Sequence, residues 1–145
     1  MPNPTAYDTD FYLWTQQQAE LLRQGLLTEL DTARLVDEIE DMGANSRRAM
    51  ESYLRNVMLH LLKWRYQPER RGTSWRLSIR DGRHQLTKRV KDSPSLRPKI
   101  PDMITDEYSL AREYAAAETG LPLVIFPDQC PFTVEQLLDV EYWPG

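Results

Sequence analysis

Two histidines and a set of carboxylates are the side chains with which this chain could do acid–base or metal chemistry. The histidines are His60 and His84, and neither stands in the Glu-x-x-His spacing that binds metal in di-iron helical bundles. Asp81 and His84 share the related Asp-x-x-His spacing, but the apolar periodicity places both away from the buried side of their helix. The sequence therefore predicts no metal site and no bound cofactor.

His60 and Glu118 are the pair from which a polar site could be built. His60 is expected on the flank of a central helix beside Trp64, where a half-buried histidine usually bonds a carbonyl or a carboxylate. Glu118 continues an apolar stripe, so we expect it to point into the bundle and to meet an arginine or His60. A structural ion pair is the favoured interpretation. A small hydrolase or metal-dependent enzyme around His60 and Glu118 is an alternative.

No nucleophile has a recognisable setting. The chain contains no Gly-x-Ser-x-Gly, P-loop or Gly-x-Gly-x-x-Gly motif. Cys130, the one cysteine, lies in a proline-rich stretch and is interpreted as a packing residue. The acidic run at 37–41 is interpreted as a solvated helix face, because calcium and magnesium sites need converging oxygens. No catalytic residue is predicted.

The charged residues are segregated along the chain, although the net charge is only −4. Residues 1–45 hold nine acids and two bases, residues 46–99 hold fifteen bases and four acids, and residues 100–145 hold nine acids and one base. So dense a basic segment suits an anionic partner, and it can also pack against the acidic ends of the same chain. Within the basic region 65–91, the candidates for binding nucleic acid or another polyanion are Arg70, Arg71, Arg76, Arg80 and Arg83.

Helices are predicted to position these side chains, because apolar residues recur at helical spacing between glycine and proline breaks. The prediction is an all-α bundle of about five main helices plus a short C-terminal helix. The first three are capped by Asp8 or Thr9, by Asp31, and by Asn45 or Ser46, and they end at Gly25, at Gly43 and before Pro68. The next begins at Thr73 or Ser74, and the last two cover Pro101–Thr119 and Val134 to about Asp139.

The apolar stripes of these helices predict the core. The third helix carries the widest stripe and is expected to be central. Gly82 lies on the stripe of the fourth helix, where it would allow a kink or a close helix approach. The stripe of the second helix comprises Leu35, Val36, Ile39 and Met42, and that of the fifth comprises Ile104, Tyr108, Ala111 and Ala115.

The length of 145 residues predicts a single domain. Residues 7–120 are expected to form the bundle, and the proline-rich residues 121–145 are expected to wrap its outside. The chain has one cysteine, no signal-peptide pattern and no apolar run long enough for a membrane helix. These features favour a reduced, cytoplasmic protein without a membrane partner.

Six sequence words, in order along the chain, resemble the bacterial family called domain of unknown function 29, over about Tyr7 to Pro144. The resemblance implies a small, mostly helical bacterial protein, and it supplies no activity, cofactor or site residues. The words are Tyr7–Trp14, Leu35–Gly43, His60–Pro68, Asp92–Leu96, Thr119–Pro122 and Phe126–Pro131.

These observations favour a non-enzymatic interaction module with an unknown protein partner. Polyanion binding through the basic region 65–91 is the first alternative, and the hydrolase is the second. Homodimerisation is plausible, because acidic and basic faces of two copies can complement each other.

Overall fold

A computed structural model of the chain describes residues 6–145, and all regular structure in that range is helical. The all-α prediction is confirmed. None of the helices described is both long and apolar enough to span a bilayer. The helices are α1 (Ala6–Thr9), α2 (Phe11–Arg23), α3 (Thr32–Tyr66), α4 (Thr73–Asp92), α5 (Ile100–Thr119) and α6 (Val134–Leu138), with short 3-10 turns at Leu27–Glu29, Pro68–Arg70, Pro94–Lys99 and Leu123–Ile125.

The predicted second and third helices are one 35-residue helix, α3. The prediction that Gly43 ends a helix is wrong, because Gly43 does not adopt a positive φ and the helix continues through it. A glycine inside a helix costs only about 1 kcal/mol relative to alanine, which strong helix formers on both sides can offset. Asn45 does not cap a new helix; its side chain accepts a hydrogen bond from Arg48 Nη1 at 2.7 Å.

Two predicted N-caps differ from those in the structure. Asp10, not Asp8 or Thr9, caps α2, and its Oδ1 accepts from the Leu13 backbone N–H at 3.1 Å. The difference arises because the preceding residues form a helical turn of their own, α1. Helix α4 begins at Thr73, directly after Gly72, and no side chain caps it. The predicted N-cap at Thr73 or Ser74 is therefore wrong.

Other helix ends agree with the prediction. Asp31 Oδ1 accepts from the backbone N–H of Arg34 at 3.5 Å and so caps α3. Gly25 and Gly120 follow α2 and α5 with φ of 72° and 73°, the left-handed conformation that glycine adopts without strain. Helix α6 has the complete capping box between Thr133 and its third helical residue.

The described residues form two compact units whose boundary falls within α3. The N-terminal unit runs to Ala44 and contains a hairpin of α2 and the first part of α3. The indole Nε1 of Trp14 donates to Asp31 Oδ2 at 3.2 Å, and Gln18 Oε1 accepts from the Asp31 backbone N–H at 2.8 Å. These bonds close the hairpin. The expectation of a single domain stays a prediction.

The C-terminal unit, Asn45–Gly145, is organised around the second part of α3. The predicted α5 stripe is buried, as is the wide apolar side of α3. Gly82 is buried against α3: a Cβ built on it would lie 2.5 Å from Val57 Cγ2. The close helix approach predicted at Gly82 is therefore confirmed.

Residues 121–145 pack along the C-terminal unit without forming a strand. Phe126 and Leu137 are buried in its core, and the Trp143 ring lies 4.6 Å from the Trp64 ring. The short helix predicted at Val134 is confirmed.

Candidate functional site

His60 and Glu118 do not form the predicted pair. His60 is half-buried, and its Nδ1 lies 2.8 Å from the Asn56 carbonyl oxygen, the bland structural role expected for it. Burial lowers the pKa of His60 below 6.5, and the nearby charge of Lys63 adds to this effect. The Glu118 side chain is 49% exposed, so the expectation that it points into the bundle is wrong. No hydrogen bond joins His60 to Glu118 among the contacts of residues 6–145.

The partner of Glu118 is Lys63, which the sequence reasoning missed. Lys63 is buried apart from its ammonium end, which lies 3.8 Å from Glu118 Oε2 and 4.8 Å from the centre of the Trp75 ring. A long lysine stem can cross an apolar surface and place its charge at the edge. The signal was the position of Lys63 within the apolar run of α3.

Cys130 is a packing residue, as expected. Its Sγ lies 3.7 Å from Met58 Sδ and 3.5 Å from the Phe132 carbonyl oxygen, and burial raises the pKa of the thiol. Within residues 6–145, no three histidine, cysteine or acidic side chains converge as metal ligands would.

A cleft of about 490 Å³ beside Cys130 lies between α5 and the 128–132 loop. Two of its polar side chains, Tyr108 and Asp128, have partners within the chain. Tyr108 donates its hydroxyl to the Pro127 carbonyl at 2.6 Å, and Asp128 Oδ1 forms an ion pair with Arg112 Nη2 at 3.0 Å.

Two of the five candidate arginines hold the C-terminal segment. Arg83 is fully buried, and its Nε and Nη2 donate to the carbonyl oxygens of Leu137 at 3.0 Å and Gln136 at 2.8 Å. The proposed contact of Arg83 with a polyanion is therefore wrong. Arg71 donates from Nε to the carbonyl oxygen of Trp64 at 2.7 Å and from Nη2 to that of Gly145 at 2.8 Å.

The other three candidates, Arg70, Arg76 and Arg80, are exposed. No carboxylate of the described chain lies within 4.0 Å of any of them. The Arg76 guanidinium lies 5.3 Å from the centre of the Trp64 ring. Trp64 itself is only 6% exposed, so it supports arginines from inside the core and cannot stack on a base.

An apolar groove opens on the hairpin of the N-terminal unit, and no sequence argument pointed to it. Its volume is about 410 Å³, and successive turns of α2 and of the first part of α3 line it. Trp14 and Gln18 are buried in its floor, but many of its apolar side chains face solvent. The most exposed of them are Phe11 (48%), Leu22 (51%), Ile39 (65%) and Met42 (70%).

The surroundings of the groove are acidic. Glu38 lines it and accepts a hydrogen bond from the Tyr7 hydroxyl at 2.6 Å. Asp37, Glu40 and Asp41 are exposed, and no basic side chain among residues 6–145 lies within 4.0 Å of them. The two arginines of this unit are already paired with carboxylates of the same unit: Arg23 with Glu20 at 2.7 Å and Arg34 with Asp31 at 3.1 Å.

The family model described as domain of unknown function DUF29 matches residues 6–143. The chain belongs to the DUF29 family. No curated protein and no solved structure matches this DUF29 chain significantly. The resemblance found in the six sequence words is confirmed, and the function of the family is unknown.

The groove of the DUF29 chain escaped the sequence reasoning because periodicity identifies an apolar side but not what covers it. Leu35, Val36, Ile39 and Met42 were identified as one stripe and expected to belong to the core. Residues 37–41 carry four carboxylates around that stripe. An apolar stripe this closely flanked by charge was the available signal that it meets solvent or a charged partner.

Proposed function

We propose that this DUF29 protein is a cytoplasmic bacterial protein that acts as a non-enzymatic interaction module. Its N-terminal groove binds one basic amphipathic helix of a partner protein. The observation that carries the proposal is the open apolar groove between two helices. Exposed apolar patches with polar rims mark interaction sites in soluble proteins. The cytoplasmic assignment is supported by a single, unpaired cysteine.

The shape of the groove suits a helix. Its α2 wall runs from Phe11 to Leu22, which spans about 16 Å at 1.5 Å per residue. Its α3 wall presents Leu35, Ile39 and Met42 at the spacing of one helix side. A partner helix of about three turns would fill this length and complete a three-helix arrangement.

The charge of the groove selects a basic partner. Among the described residues, no lysine or arginine lies within 4.0 Å of Asp37, Glu38, Glu40 or Asp41, and both arginines of the unit are paired with other acids. A second copy of the same hairpin would bring nine acids and two bases from residues 1–45 against an identical set. Like charges at an interface oppose association, whereas lysines and arginines flanking an apolar stripe would be attracted.

Peptide binding tests this proposal. The probe is a labelled helical peptide of about 14 residues with leucines at i, i+3, i+4, i+7 and i+11 and lysines on both flanks. A matched peptide carries glutamate in place of every lysine. Fluorescence anisotropy is expected to show at least about tenfold tighter binding of the lysine peptide, or about 1.4 kcal/mol. The double variant Ile39→Gln with Met42→Gln is expected to lose this binding.

The matched control is Leu77→Gln with Val124→Gln, which removes two exposed apolar side chains from the C-terminal unit. It should bind the lysine peptide as the wild type does. Equal loss in both double variants, or equal affinity for the two peptides, contradicts the proposal. Sedimentation velocity adds a separate arm: a dimer that Ile39→Gln with Met42→Gln converts to a monomer would show that a second copy occupies the groove.

A further inference from the structure

We infer that a row of cations along α4 binds the phosphate backbone of a nucleic-acid duplex, independently of sequence. This row differs from the set of arginines predicted from the sequence, because Arg83 is buried in the core. Its four cations are all exposed and all lie on one helix, with the exposed His84 between them: Arg76, Arg80, Lys88 and Lys91.

The helix geometry makes these side chains neighbours. At 100° per residue, Arg76, Arg80, His84 and Lys91 fall within an arc of about 80°, and Lys88 lies about 40° further round. From Arg76 to Lys91 the row extends about 22 Å along the helix axis. The buried residues Ile79, Gly82 and Leu86 lie to the other side of Arg76, so the row faces away from the core.

The cations of the row are not neutralised by the chain. Among the described contacts, none of the four lysine and arginine side chains has a carboxylate within 4.0 Å. The acids of the same helix, Asp81 and Asp92, lie at about 140° and 160° from Arg76, beyond the edge of the row. A positive row therefore persists on a chain whose net charge is −4.

The surroundings of the row favour a duplex over the alternatives. Single-stranded nucleic acids bind through aromatic side chains on which bases stack. Here Trp64 is buried, with the Arg71 guanidinium 5.1 Å and the Trp143 ring centre 4.6 Å from the centre of its ring, so it offers no such platform. Leu77 is the one strongly exposed large apolar residue of α4, which leaves the helix without an apolar side to insert into a membrane. Phosphate contacts alone suit sequence-independent binding.

The test is fluorescence anisotropy with a labelled DNA duplex of about 20 base pairs and an RNA duplex of the same sequence, from 50 to 200 mM salt. Four phosphate contacts predict a slope of log affinity against log salt of about −3.6, or roughly a hundredfold loss over this range. The variant Arg80→Gln with Lys91→Gln should halve the slope to about −1.8. The two duplexes show which nucleic acid supplies the phosphates.

The control is Arg48→Gln with Lys99→Gln, which removes the same charge from exposed positions outside α4. It should keep the wild-type slope, and circular dichroism should show that both variants are folded. The inference is overturned by absence of duplex binding at 50 mM salt or by an equal loss in the control variant. Tighter binding to a single strand than to a duplex, or binding to phosphatidylserine vesicles without duplex binding, also overturns it.

Discussion

Several charged side chains of this protein have structural roles that their sequence positions did not predict. Arg83 is a charged group at zero exposure, and it is held by two main-chain carbonyls from a segment more than 50 residues away. Burial lowers the pKa of Arg83. The hydrogen bonds of its Nε and Nη2 to the two carbonyls satisfy these donors inside the protein. Such a partner cannot be inferred from spacing, because the two parts of the chain are remote in sequence. The partner of Glu118 was missed for the same reason, because Lys63 lies on another helix, 55 residues earlier in the chain.

His60 predicts how stability depends on pH. Burial is the main cause that lowers its pKa below 6.5, so the folded state resists protonation more than the unfolded state does. The stabilising contribution is complete above about pH 6.5 and falls as the pH drops through the folded pKa. The hydrogen bond to the Asn56 carbonyl and the charge of Glu118 favour protonation, but burial, with the charge of Lys63, outweighs them. We therefore expect the urea midpoint of the wild type to decrease from pH 7.5 to pH 5.5.

The variant His60→Gln should lose part of this pH dependence, while keeping an amide that can donate to the Asn56 carbonyl. His84→Gln is the control, because His84 is exposed. Its urea midpoints should run parallel to those of the wild type. A His60→Gln variant with an unchanged pH dependence would show that the imidazole does not titrate differently on folding.

At the scale of the helices, local sequence signals predicted several helix ends correctly, but they did not predict that two helices join into the single helix α3. Gly120 and the capping box at Thr133 were identified from the sequence, because each satisfies the hydrogen bonds of one helix end locally. Gly43 gave the wrong signal, because a glycine ends a helix only where the chain turns into the left-handed conformation. The stripe ending at Met42 was found, but its exposure depends on which other helix covers it, and in the N-terminal unit none does.

Gly82 and Gly43 give a matched prediction about the helices. A Cβ at Gly82 would lie 2.5 Å from Val57 Cγ2, so Gly82→Ala forces apart α3 and α4 and should destabilise the protein by about 1–3 kcal/mol. Nothing lies within 4 Å of a Cβ at Gly43, so Gly43→Ala should stabilise α3 by about 0.5–1 kcal/mol. Urea unfolding followed by circular dichroism measures both changes.

The change Val57→Ala distinguishes the cause. It removes the Cγ2 methyl group that the new Cβ would meet, so the cost of Gly82→Ala should be smaller in the Val57→Ala background than in the wild type. An equal cost in both backgrounds would show that the contact with Val57 is not the cause of the destabilisation by Gly82→Ala. A destabilising Gly43→Ala would contradict the uninterrupted helix.

At the scale of the whole molecule, charge segregation along the sequence separates two surfaces of opposite sign. The acidic groove belongs to the N-terminal unit and the cationic row to the C-terminal unit, and they share no residue. The expectation that the acidic residues of 1–45 and 100–145 neutralise the basic residues of 46–99 holds only in part. Arg55 pairs with Glu107 at 2.7 Å, for example, but the row on α4 has no such partner.

Separate surfaces predict separable binding. The two sites share no residue, so a substitution in one removes no side chain that the other uses. Ile39→Gln with Met42→Gln should abolish binding of the lysine peptide and leave duplex affinity within about twofold. Arg80→Gln with Lys91→Gln should weaken duplex binding and leave peptide affinity within about twofold. In the quadruple variant, the two losses should equal those of the double variants, because substitutions without shared partners act additively. If either double variant instead weakened both ligands, the groove and the row would be parts of one site, and the assignment of a protein partner to one and a nucleic acid to the other would fail.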